Sequence, residues 1–181
     1  MKKFEEKTTH TEEIYNGKII QLQVDEVILP NGMTAKRELI KHTGAVAVIA
    51  ITKDSKIVLV EQYRKPLEKS ILEIPAGKLE KGEKPEAAAI RELEEETGYT
   101  AESLSFVTSF YSSPGFADEL LYIYITDDLK KLETPVKGDD DEFIEVLELT
   151  LDEAKKYVEE ERIHDAKTNY AILYLHALEM R

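Results

Sequence analysis

Residues 45–52 read Ala-Val-Ala-Val-Ile-Ala-Ile-Thr, an almost unbroken apolar run of the kind a strand buried on both faces requires. Asp54 and Ser55 interrupt the run and it resumes over 56–63, which predicts a tight turn between two core strands. Upstream, 18–29 and 33–41 have strand character, and Pro30, Asn31 and Gly32 between them form a strong turn signal. A hairpin is therefore expected ahead of the core. Segment 71–75 carries the chain on to the next region, and 104–110, 119–126 and 143–149 predict three more strands from their β-branched, aromatic and leucine residues. The period changes over 84–97, where Ala89, Ile90 and Leu93 fall at helical spacing, Pro85 suits a first turn and Gly98 stands just past the last. Thr150 with Glu153 three residues on makes a capping box for a helix through about residue 160. A final helix over 165–180 carries Ala171, Ile172, Leu175 and Leu178 on one face. Strands and helices in this alternation predict an α/β protein, a three-layer α/β/α sandwich around a mixed sheet. The hairpin would form an N-terminal subdomain, 1–42, before a main domain, 43–181.

Composition narrows the function classes. The 181 residues are 42% hydrophobic, enough for one sizeable core, and the longest apolar run, 45–51, is far too short to span a bilayer. The opening residues MKKFEEKTTH lack the apolar centre of a signal peptide, so a cytoplasmic protein with no membrane partner is expected. Zero cysteines exclude disulfides, thiolate metal sites and cysteine nucleophiles. His10, His42, His164 and His176 show no metal-ligand spacing. A formal charge of −13 argues against nucleic acid as a partner, since duplex binding draws its affinity from Lys and Arg on phosphates. The objection is weaker for a small phosphorylated ligand, because a few cations or a bound metal can reverse the field inside a pocket.

Candidate chemistry concentrates in residues 77–99, GKLEKGEKPEAAAIRELEEETGY. On the predicted helix Glu92, Glu95 and Glu96 stand at i, i+3 and i+4 and share a face, where like charges cost roughly 0.2–0.5 kcal/mol per pair. Something must offset them. A hard divalent cation is the natural candidate, since Mg2+ and Mn2+ take carboxylate oxygens and bridge them to substrate phosphates. Arg91, one turn before Glu95 and about two turns after Glu83, is placed to clamp carboxylates. The acidic run Asp139 to Glu142 lacks the alternation an EF-hand loop needs.

Gly77, Glu83, Arg91, Glu92, Glu95, Glu96 and Gly98, with apolar Leu93 and Tyr99, match the Nudix box in spacing without a departure, and the chain resembles the Nudix hydrolases. Further likeness to the ADP-ribose pyrophosphatase branch lies in Glu61-Gln62-Tyr63-Arg64, in Glu73 to Gly77 as EIPAG, and in Tyr111 to Glu119 as YSSPGFADE. Pro114 stands sixteen residues after the last box glycine, as that branch has it. The resemblance implies a Nudix α/β/α fold and hydrolysis of ADP-ribose to AMP and ribose 5-phosphate with two or three Mg2+ ions, or Mn2+. It implies Glu92, Glu96, Glu95 and the carbonyl of Ala76 as metal ligands, Arg91 among the catalytic residues, and Glu142 as base or further ligand. The loop holds Asp140 and Glu142 where two glutamates are the pattern, which leaves the base open among Glu142, Asp140 and Glu95. Arg64 would contact the pyrophosphate, Pro114, Gly115 and Glu119 the terminal ribose, and Arg37 with Ile19 the adenine. A homodimer with exchanged N-terminal hairpins is implied as well. Alternatives are a Nudix pyrophosphatase for another nucleoside diphosphate sugar or a dinucleotide, and a sensor that binds ADP-ribose without cleaving it; the intact box carboxylates speak against the sensor.

Overall fold

The computed structural model describes residues 3–134, 136, 138 and 143–180. They divide into two compact units, 1–44 with 110–121, and 45–109 with 122–181. In the first unit β1 (Lys7–Asn16), β2 (Gln21–Ile28) and β3 (Thr34–Lys41) form an antiparallel sheet in that order. The pair β2 and β3 is the expected hairpin, closed by Leu29 N–H on the Met33 carbonyl at 2.8 Å. β1 was not expected, because KTTHTEEIYN is polar at nearly every position and exposed along its whole length. Its backbone ladder with β2 carries it, with register shifts between Thr8 and His10 and between Glu13 and Tyr15. At the centre of β2 the buried carboxylate of Asp25 accepts from Thr8 (3.1 Å), Thr11 (2.8 Å) and Gln23 (2.9 Å), and the Thr11 hydroxyl above all holds its pKa below the ordinary value.

The second unit starts with β4 (Ala45–Ala50), buried at all six residues, and β5 (Ile57–Arg64). The predicted turn lies between them, with Ser55 in the left-handed region and the two chains bridged at Ile51 and Ile57. Past that bridge they enter different sheets. β6 (Lys69–Glu73), β7 (Ala76–Lys78), α1 (Pro85–Thr97), β8 (Tyr99–Ala101), β9 (Ser105–Tyr111), β10 (Leu120–Thr126), β11 (Leu129–Lys131) and β12 (Ile144–Leu149) follow. The sheet orders are β7-β4-β10-β9, β11-β8 and β12-β5-β6. α2 (Leu151–Glu159) opens on the complete capping box of Thr150 and Glu153, and α3 (Ala166–Glu179) on Asp165, whose side chain accepts from Thr168 N–H.

The core gathers Val46, Val48, Ala50, Val58, Ala88, Ala89, Leu93, Ala101, Leu104, Tyr124 and Leu129. Each large apolar side chain buried there contributes about 1.5–3 kcal/mol. α1 turns Ala88, Ala89 and Leu93 into it, and the two alanines let the helix lie close against β4 and β7. Gly98, at φ 68°, ends the helix by accepting the left-handed conformation, its N–H on the Glu94 carbonyl at 3.0 Å.

Candidate active site

With its alanine face in the core, α1 presents Glu92, Glu95 and Glu96 beside β7. Glu96 is buried, and its Oε2 accepts from Ala76 N–H at 2.9 Å. Helix and strand are so close that a Cβ on Gly77 would stand 1.9 Å from Cδ of Glu92. The Glu92 carboxylate fills the space a side chain there would need. This is the physical reason a glycine occupies that position.

Arg91 ties the cluster together. Its Nε and Nη2 donate to the two oxygens of Glu83 (both 3.0 Å), Nη1 to Glu92 (2.8 Å) and Glu95 (3.0 Å), and Nη2 also to the Lys78 carbonyl (3.2 Å). These five bonds commit every N–H of the guanidinium. The pKa of Arg91 is raised, first by Glu83, and that of Glu83 is lowered, first by Arg91. Glu83 is held in turn by Glu80 N–H at 3.0 Å. The clamp expected from spacing is thus present, and the offset to crowded charge comes from Arg91 at Glu92 and Glu95. Among the described residues no three acidic or histidine side chains converge as a ready metal cage. The donors at this face are carboxylate and peptide oxygens, and the chain has no cysteine thiolate to compete with them, a set that suits a hard divalent cation keeping some of its waters. Glu142, Asp140 and their acidic neighbours lie outside the described residues.

Arg64 ends β5, half-buried, and its Nε donates to Oε2 of Glu73. Glu73, the first residue of EIPAG, is 3% exposed and also accepts from Lys167, which in turn reaches Asp165 at 3.0 Å. Beside them Ile74 N–H donates to the hydroxyl of buried Thr168 at 3.0 Å. Sequence reasoning saw Glu73 as part of a motif and missed its role as the anchor of Arg64. A glutamate flanked by Ile71, Leu72 and Ile74 was the available signal, since a carboxylate in an apolar run needs paired cations.

The remaining expected contacts lie in the first unit. Ile19 sits exposed between β1 and β2, and Arg37 on β3 makes a two-pronged ion pair with Glu6 at 2.7 and 2.8 Å. Pro114, Gly115 and Glu119 lie on the loop from β9 to β10, where Ser112 hydroxyl donates to Glu119.

A model described as the NUDIX domain matches residues 41–169. The chain belongs to the Nudix family. Ahead of that match, residues 6–40 fit a nucleoside diphosphate sugar hydrolase N-terminal domain. This Nudix chain is 58% identical over 175 residues, 97% of its length and 95% of the other's, to an ADP-ribose pyrophosphatase of Bacillus subtilis. It is 60% identical over 174 residues, 96% and 94% of the two chains, to a methanol dehydrogenase activator of Bacillus methanolicus. A crystal structure of an ADP compounds hydrolase superimposes with a TM-score of 0.83 at 21% identity, covering 96% of this chain and 94% of that one, which bears out the mixed α/β fold. The Nudix protein is accordingly a hydrolase. Among its described residues no helix is long and apolar enough to cross a membrane.

Proposed function

We propose that the protein hydrolyses the pyrophosphate bond of ADP-ribose, releasing AMP and ribose 5-phosphate. The observation that carries this reading is the arrangement on α1, where Glu92 and Glu96 lie against β7 and Arg91 holds Glu92 and Glu95, in a chain 58% identical to an ADP-ribose pyrophosphatase. Water oxygen bonds to one phosphorus as the bridging P–O bond breaks, and the departing phosphate takes the electron pair. Glu92, Glu96 and the Ala76 carbonyl would hold Mg2+ or Mn2+, with Glu95 as a further ligand. When bound, the cation supplies neutralisation of phosphate charge and a more acidic water. Arg91 holds the carboxylates in register, and Arg64, oriented by Glu73, would bind the pyrophosphate. Glu142, or failing it Glu95, would accept the proton of the attacking water.

Ile19 and Arg37 would contact the adenine and Pro114, Gly115 and Glu119 the terminal ribose; the likeness of residues 6–40 to a nucleoside diphosphate sugar hydrolase N-terminal domain supports a substrate of that class. Exchange of that subdomain between two copies in a cytoplasmic homodimer belongs to the same proposal; sedimentation as a 20.7 kDa monomer would remove it.

Cation-dependent turnover of ADP-ribose, other nucleoside diphosphate sugars and dinucleotides in oxygen-18 water tests the whole. ADP-ribose should be preferred, label in AMP or in ribose phosphate identifies the phosphorus attacked, and Glu96→Gln should lower turnover by at least ~100-fold. Near-normal hydrolysis by that variant sinks the assignment. A second reading follows from the 60% identity to a methanol dehydrogenase activator: the protein would stimulate a methanol dehydrogenase. Adding it to such an enzyme with Mg2+ decides, and an unchanged rate removes that reading.

A further inference from the structure

The loop from Ser112 to Glu119 meets the end of β3 through a single parallel rung. Ile40 N–H donates to the Phe116 carbonyl at 2.7 Å and Asp118 N–H to the Ile40 carbonyl at 3.2 Å, with Ile40 and Ala117 as the bridged pair. A parallel ladder continued by one step would send His42 N–H to the carbonyl of Asp118. Instead it donates to the side chain, Oδ1 of Asp118, at 2.8 Å. The carboxylate thus supplies the next rung after the backbone ladder has stopped. Its other oxygen accepts from Lys41 Nζ at 2.9 Å. Within the loop, Phe116 N–H (3.1 Å) and Ala117 N–H (2.9 Å) converge on the Ser113 carbonyl, and Ser112 N–H donates to the Glu119 carbonyl at 3.2 Å. The loop is thereby a closed turn whose attachment to β3 ends at Asp118, one residue before Glu119. His42 Nδ1 accepts from Gly44 N–H at 3.1 Å, so its approach to Glu119 at 3.7 Å is no hydrogen bond and cannot replace the rung.

We propose that Asp118 is a positioning residue: its carboxylate, bonded to the His42 amide, fixes the Ser112 to Glu119 loop and with it Pro114, Gly115 and Glu119. The proposal rests on the reading that this loop contacts the substrate. The His42 bond carries the effect. The Lys41 pair is about half exposed on both sides, and such pairs contribute little.

The test uses the full chain and four forms: wild type, Asp118→Ala, Asp118→Asn and Lys41→Met. Hydrogen exchange should find the His42 amide protected in the wild type. In Asp118→Ala that amide and those of 112–119 should exchange about tenfold faster or more, as loss of one charge-assisted bond implies. With ADP-ribose the same variant should raise KM about tenfold and change kcat less than about threefold. Asparagine, which keeps an acceptor for the amide, should restore most of both effects, and Lys41→Met should show neither. An unprotected His42 amide in the wild type, unchanged loop exchange in Asp118→Ala, or an asparagine variant as impaired as the alanine one overturns the proposal. Should the wild type fail to cleave ADP-ribose, the functional reading falls, and the exchange results still decide whether Asp118 holds the loop.

Discussion

Arg91 spends all its donors on one patch, and the result is a salt bridge network with an acid dependence of its own. Glu83 is the partner held at both oxygens, and its folded pKa lies below the ordinary 4.5 chiefly because of the Arg91 bonds. A depressed carboxyl contributes stability above its unfolded value and loses it as pH falls through the folded one. Arg91→Gln should therefore cost about 1–2 kcal/mol at pH 7, discounted from a fully buried pair because the guanidinium is 28% exposed. The difference from wild type should shrink once pH passes below 4.5. Urea denaturation midpoints of the two proteins, measured at pH 7 and in steps below pH 4.5, test it. A gap that stays constant across that range would mean Arg91 acts by packing alone.

Between elements, the decisive contact is the approach of α1 to β7. An alanine at Gly77 would force its Cβ into the Glu92 carboxylate, so either the helix shifts or Glu92 leaves its position. Gly77→Ala should cost about 1–3 kcal/mol, as overpacking does, and lower turnover at least ~10-fold even where the fold persists. Circular dichroism melts beside kinetics check it, and a fully active Gly77→Ala protein would mean Glu92 can do its work elsewhere. What was readable from sequence follows the range of the chemistry that builds each element. Helix ends are local, so Pro85, Gly98 and the Thr150–Glu153 box announced α1 and α2 within a residue or two. β4 and β5 showed in their apolar runs. β7, β8 and β11 have three residues each, too few for any period, and β1 has no apolar face at all. At the site, spacing on one helix was enough to bring out Glu92, Glu95, Glu96 and Arg91. The pairing of Glu73 with Lys167 spans 94 residues of chain and follows from tertiary packing. Asp118 closing a ladder on His42 spans 76, and a side chain standing in for a carbonyl leaves no periodic trace.

At the scale of the whole molecule the net charge of −13 complicates any argument about cations. A strongly anionic chain repels itself, so salt of any kind should stabilise it through screening, over a Debye length of about 8–10 Å at ordinary ionic strength. A specific site adds stabilisation on top of this, RT ln(1 + [L]/Kd), or about 2.7 kcal/mol at a hundred times Kd. Mg2+ should therefore raise the melting temperature above that in NaCl of matched ionic strength, saturating with concentration where screening keeps drifting. In Glu96→Gln the saturable part should disappear. The screening part should remain, because one charge in a surplus of thirteen changes the general field little. Glutamine can still accept from Ala76 N–H through its amide oxygen, which keeps the fold comparable between the two proteins. Identical melting curves in Mg2+ and matched NaCl, for the wild type itself, would show that the acidic face of α1 acts only through the general field and would remove the cation from the proposed mechanism.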